Sequence, residues 1–302
     1  LKDVKLQWFL IPIVIVLASR IIYVVVRQFK LNINQPESVD GFNLYYIKQL
    51  KTNCLIALAT TGFTGIAMEI VNSGEAGEDG LIRITQRQTG KIEAMYTAPN
   101  NFCRSGHTED AGLKSRLITI KVVYQGEERY QFQFPLYRPP VVMLHGLWGY
   151  STAWDGVINE LVQERNLYPQ DLLYAYDYQY SNASSFEENK DVCYSAVWYG
   201  LGKARRLGYS AGKVDVIAHS MGGVLARIYL QDLGSRAYRG DIHKFISIGV
   251  PHSGSQAANY LMGDWILQNI LYRAGRPTNK GAVAALCVDS WRIDHWLNAV
   301  TP

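Results

Sequence analysis

The sequence predicts a parallel-sheet α/β domain over residues 139–302. It is preceded by a β-sandwich over residues 35–138 and a hydrophobic segment over residues 1–30. Three observations carry this expectation. Beyond residue 140, short wholly apolar runs alternate with amphipathic stretches, as strands buried on both faces alternate with crossover helices. Before that, short apolar runs recur between turn residues with no long helical period. Residues 8–26 hold only Ser19 and Arg20 as strongly polar positions. At 302 residues the chain exceeds what one core usually holds, so several domains are expected. Its 48% apolar and 19% charged composition excludes a disordered chain and a coiled coil. The balance of 30 Lys+Arg against 26 Asp+Glu is too even to indicate a nucleic-acid partner.

The first segment has three readings. As a helix, residues 8–26 nearly match a bilayer core of about 30 Å, with Lys2 and Lys5 before them and Arg27 and Lys30 after. Arg20 opposes a simple span, because a charge at that depth is costly. An export signal fits the apolar stretch but lacks a clean small-residue cleavage pattern. Two buried strands, residues 11–17 and 21–26, turning at Ser19-Arg20, also fit their β-branched content. A membrane anchor or signal is the reading carried forward. With it goes an extracellular, periplasmic or envelope-associated location.

In the β-rich part, runs at residues 54–59, 65–71, 81–85, 117–124 and 130–134 read as strands. Tyr130, Phe132 and Phe134 alternate with Gln131 and Gln133, the period of a half-solvated antiparallel strand. Asn72-Ser73-Gly74, Glu78-Asp79-Gly80 and Gln125-Gly126 supply turns. Cys54 and Cys103 could pair in an oxidising compartment or stay reduced and buried; Cys193 and Cys287 present the same choice. The stretch Thr89-Gly90-Lys91-Ile92 to Tyr96-Thr97-Ala98-Pro99 resembles a segment of bacterial immunoglobulin-like domains. That resemblance implies a spacer or binding module.

Arg138-Pro139-Pro140 closes this region, since two prolines stop a strand. Residues 141–144 read as a buried parallel strand. Trp154, Val157, Ile158, Leu161 and Val162 then follow a helical stripe. Residues 172–176 are the next strand, and 189–206 a helix ended by Gly208 with Arg205 and Arg206 in its last turn. Residues 214–218 are a strand, 221–233 a helix and 245–249 a strand. Ligands of such sheets bind at the carboxyl ends of the strands.

At one such end stands Ala218-His219-Ser220-Met221-Gly222-Gly223. A strand passing directly into a helix forces a strained bend at Ser220 and leaves room only for small residues two positions either side, here Ala218 and Gly222. The Ser220 hydroxyl then projects at a helix N-terminus, which favours developing negative charge. Upstream, the strand at 141–144 runs into His145-Gly146-Leu147-Trp148-Gly149. Downstream stands Val250-Pro251-His252-Ser253-Gly254-Ser255.

Together these three motifs resemble the lipase/esterase branch of the α/β-hydrolases. The resemblance implies a serine carboxylic-ester hydrolase acting on an ester or lipid through an acyl-enzyme on Ser220. Backbone N–H groups of Leu147 and Met221 would form the oxyanion hole, with His145, Gly146, Ala218, His219, Gly222 and Gly223 shaping the two loops. Removing one such donor typically costs about 3–4 kcal/mol of transition-state stabilisation. By the same resemblance His252 lies on a pocket-shaping loop and is not the base. The same machinery serves acyltransferases and thioesterases, and a rival reading is a surface binding protein whose hydrolase domain is inert.

A serine nucleophile of this fold is followed by an acid and then a histidine. After Ser255 the candidates are Asp264, Asp289, Asp294 and His295. Asp294 and His295, adjacent on a helix-like stretch, would diverge by about 100°. The expectation is therefore a hydrolase domain truncated at its C-terminus, its triad Asp and His beyond residue 302 and its activity missing without them. Residues 256–300 read as helical, with Ala257, Leu261, Trp265, Ile266 and Ile270 on one apolar face that either packs on the sheet or caps the site. No metal or cofactor pattern appears: the Gly208–Lys213 stretch is too short for a phosphate loop, and no His-Glu-x-x-His occurs.

Overall fold

Why the chain alternates as it does is visible in its sheets. The computed structural model describes residues 42–49, 53–60, 65–71, 74–88, 91–288, 290 and 293. The hydrophobic segment over residues 1–30 lies outside them. Among the described residues no helix is long and apolar enough to cross a membrane. The chain divides into two compact units, the first holding the antiparallel strands and the second the parallel sheet and nearly all the helical residues.

The first unit has two antiparallel sheets. One runs β1 (Phe42–Gln49), β2 (Asn53–Thr60), β5 (Lys91–Thr97), β4 (Leu81–Gln88) across its width; the other runs β3 (Ile66–Ile70), β6 (Ser115–Tyr124), β7 (Glu127–Tyr137). Strand β1 has no clean alternation in its sequence, and its pairing with β2 explains why: the register shifts between Leu44 and Tyr46. A second shift between Ile84 and Gln86 carries β4 past the end its apolar run suggests. Alternate residues from both sheets form one buried cluster: Ile66 and Met68, Ile92 and Tyr96, Ile118 and Ile120, Phe132 and Phe134. Tyr96 packs edge-on against Phe134 at 4.9 Å, and its hydroxyl donates to the carbonyl of Asp79 at 2.9 Å.

Glu78-Asp79-Gly80 is more than a solvated turn. Asp79 is buried and pairs with buried Arg116, whose guanidinium also donates to the carbonyls of Phe102 and Glu78. Beside it, Arg104 grips Asp110 through Nε at 2.9 Å and Nη2 at 2.7 Å. Those bonds from Arg104 outweigh the opposing effect of burial and hold the Asp110 carboxyl at a pKa of about 2.

The second unit carries a parallel sheet in the order β11 (Ile242–Ile248), β10 (Val214–His219), β8 (Val141–Leu144), β9 (Leu173–Tyr176). All four residues of β8 are buried, as a central strand covered on both faces requires. The stripe expected to make one helix after β8 is instead broken into a 3-10 turn, a short α1 (Asp155–Asn159) and a π turn at Glu160–Glu164. Trp154 is buried and Ile158, Leu161 and Val162 still pack below β8, but Val157 faces solvent. Next come α2 (Phe186–Asn189), α3 (Val192–Arg206), α4 (Met221–Leu230), α5 (Gln256–Gly263), α6 (Trp265–Arg273) and α7 (Ala282–Ala285).

The apolar face expected through residues 257–270 does not exist as one surface. Asp264 is extended, at φ −114° and ψ 99°, and its carboxylate accepts from the N–H groups of Ile266 and Leu267, ending α5 and capping α6. The helical register restarts there. Ala258 becomes buried while Ala257, Trp265, Ile266 and Ile270 turn to solvent. The Cys193–Cys287 bridge left open by the sequence does not form: both are free thiols, and complete burial pushes the Cys193 thiol pKa far up.

Candidate active site

Strand β10 lies between β8 and β11, so its apolar run is forced straight up to the sheet's carboxyl edge. It ends at His219, and α4 begins at Met221. The single residue between them makes the reversal. Ser220 sits at φ 52° and ψ −129°, a region that side-chain-bearing residues rarely occupy and that costs about 1–3 kcal/mol. Two backbone bonds hold it there: its N–H donates to Ile248 O at 2.9 Å, and its carbonyl accepts from the Gly223 N–H at 2.9 Å. The side chain remains partly open to solvent.

The loop after β8 comes against this bend, backbone to backbone. A Cβ on Gly222 would stand 2.5 Å from His145 O and 2.8 Å from Leu144 O; one on Gly146 would stand 2.8 Å from Ser220 Cβ. Both positions must be glycine for the loops to touch. Ala218 is wholly buried beneath the bend, and Gly223 abuts Val250. Leu147 and Met221 each follow directly on this contact. Among the described residues no acceptor takes the N–H of either. His219 is exposed, its ring between Gly146 and Gly249.

His145, buried to 1% exposure, organises the loop. Its ring stacks on Tyr178 at 4.2 Å and 11°. The Tyr178 N–H donates to Nε2 at 3.4 Å, which makes Nε2 the acceptor and leaves Nδ1–H to donate to Gly146 O at 3.0 Å. The Tyr178 hydroxyl donates in turn to His145 O. Next to it, Asp177 Oδ1 lies 3.5 Å from His145 Nε2. Burial raises the Asp177 pKa, but hydrogen bonds from the Gln179 N–H and the Ser151 hydroxyl prevail and hold it below the usual carboxylate value. On the other side Trp148 donates from Nε1 to Pro277 O at 3.1 Å, and Asn182 Nδ2 donates to Gly149 O at 3.0 Å. Sequence reasoning found the loop but not Tyr178, Asp177 or Asn182. They come from the segment after β9 and carry no catalytic motif of their own.

His252 has a buried Nδ1 with no partner among the described residues; burial and the nearby Arg227 charge lower its pKa. Asp264 is occupied as a helix cap. The close pair of His243 Nδ1 and Asp215 Oδ1, at 2.8 Å, lies at the starts of β11 and β10, the edge opposite Ser220. Asp289, Asp294 and His295 lie outside the described residues. Among the described residues no group of His, Cys, Asp and Glu could hold a metal ion.

A strained serine thus joins a strand directly to a helix at the carboxyl edge of a parallel sheet, with the loop after β8 packed against it. No solved structure matches the chain. The family model of palmitoyl protein thioesterases matches residues 140–297, over half of the sequence and all of the parallel sheet. The chain belongs to the palmitoyl protein thioesterase family.

Proposed function

We propose that this protein hydrolyses long-chain acyl thioesters through a covalent acyl-enzyme on Ser220. The observation that carries the reading is the backbone of Ser220 itself, held at φ 52° beside the Gly146 loop. The Ser220 oxygen attacks the thioester carbonyl, and the oxyanion receives hydrogen bonds from the Leu147 and Met221 N–H groups. The tetrahedral intermediate collapses with cleavage of the carbon–sulfur bond, and the thiolate leaves with the proton taken from serine. Water then adds to the acyl-enzyme, releasing the fatty acid and restoring the hydroxyl. The base that carries these protons is a histidine outside the described residues. Oxygen esters of lipase type fit the same attack, since the site as described touches only the carbonyl. The units at residues 35–138 and 139–302 act, in this reading, as an immunoglobulin-like spacer and a catalytic domain, at the cell envelope.

The test uses the full-length natural protein and a fluorophosphonate probe. Covalent labelling at Ser220, lost in Ser220→Ala, is the expected result; a wild-type protein that stays unlabelled overturns the enzyme reading and leaves an inert binding protein. Comparing palmitoyl thioester with palmitoyl oxygen ester as substrate then decides the leaving group.

A further inference from the structure

We infer that the outward face of α6 and the loop behind it form a docking surface for an anionic lipid bilayer. The choice of a bilayer rests on the acyl-thioester reading, which places the substrate's acyl chain in a membrane. The surface itself is read from the structure. Trp265, Ile266, Asn269, Ile270 and Arg273 recur at the spacing of one helical face, and all are exposed. Leu267, Gln268 and Leu271, on the other face, are half-buried. The helix thus turns its bulkiest apolar residues to solvent: Trp265 is 71% exposed, Ile270 58% and Tyr272 62%. Such a grouping marks an interaction surface.

Charge selects the occupant. Residues 265–288 contain no Asp or Glu, while Arg273, Arg276 and Lys280 are all exposed at the end of the helix and just past it. A second copy meeting this face through a two-fold axis would bring like charges together. An interface of phosphate headgroups over acyl chains suits both halves, taking tryptophan and isoleucine into the acyl boundary and the cations at the headgroups. The surface adjoins the candidate site, because the Trp148 indole bonds to Pro277 O in the loop after α6.

The experiment is sedimentation of the full chain with vesicles of phosphatidylcholine alone or with added phosphatidylserine. Wild type and Ser220→Ala are expected to bind the mixed vesicles and to leave the neutral ones largely empty. Trp265→Glu with Ile270→Glu, all at exposed positions, should weaken that binding at least about ten-fold. Arg273→Gln and Arg276→Gln should each weaken it about five-fold, with an unchanged unfolding temperature. Binding unaltered by both sets of substitutions overturns the proposal, as does equal binding to neutral vesicles. A dimer in sedimentation velocity that Ile270→Glu dissolves also overturns it, in favour of a second copy. Fluorophosphonate labelling without vesicles is read separately: vesicle binding in a protein that does not label sustains the surface while removing the chemistry.

Discussion

The charged turn of the β-rich unit and the elbow of the α/β unit handle polar groups in opposite ways. In the β-rich unit, every charge drawn under the surface near the turn at residues 78–80 is matched: Asp79 by Arg116, and Asp110 by a forked contact from Arg104. Nothing is held ready there, and the arrangement joins distant segments of chain. In the α/β unit the elbow does the reverse. A residue is kept in an unfavourable backbone conformation, and two N–H groups beside it have no acceptor among the described residues. Stability is given up at that spot, as sites prepared for a transition state require. In the proposed reaction the matched charges serve the scaffold and the strain beside the unmatched donors serves the chemistry.

Substitutions can break or sharpen this contrast, beginning with the largest effect. Ser220→Gly should remove fluorophosphonate labelling and lower turnover by about five orders of magnitude or more. It should also raise stability by about 1 kcal/mol, because glycine tolerates φ 52°. Loss of activity without a gain in unfolding temperature would mean that Ser220 is unstrained. Phe132→Ala, in the core shared by the two antiparallel sheets, should cost about 3–5 kcal/mol in denaturant unfolding of the first unit. The labelling rate of the folded protein should not change. A slower rate there would break the division between scaffold and site.

Asp110→Asn should cost about 2 kcal/mol, and the same interaction sets a pH dependence. The folded carboxyl titrates near 2, below its ordinary value. Its contribution is therefore complete above about pH 5, declines as the pH falls through 4 and 3, and vanishes below 2. Thermal melts from pH 6 to pH 2 on wild type and Asp110→Asn should converge at the acid end; a constant gap would discard the assignment. Tyr178→Phe is the smallest change. Deleting the hydroxyl that donates to His145 O should cost about 1 kcal/mol of stability. It should lower kcat several-fold with KM unaltered, since it loosens the loop that presents Leu147. A change in KM alone would assign Tyr178 to substrate binding.

Much of the site was legible early because the elbow is a local problem. Gly222 and Gly223 are small in the sequence for the reason the structure displays, the close approach of Leu144 and His145 carbonyls to one and of Val250 to the other. Strand β8 was equally plain, as a buried strand has a uniform apolar sequence, whereas β11 starts at Ile242, three residues before its apolar run, because His243 and Lys244 interrupt the pattern. Strand β1 was not, because a shifted register erases the alternation by which strands are recognised. The face of α6 was read inward for a similar reason. One capping aspartate restarted the helix, and a period counted across Asp264 pointed the wrong way.

The sequence by itself determined where the chain must bend sharply and which residues are small enough to allow it, since both follow from neighbours a few positions apart. Only the tertiary structure decided what surrounds that bend. Tyr178 beneath His145 and Pro277 on Trp148 come from segments that meet only through packing, and such pairings leave no periodic trace along the chain.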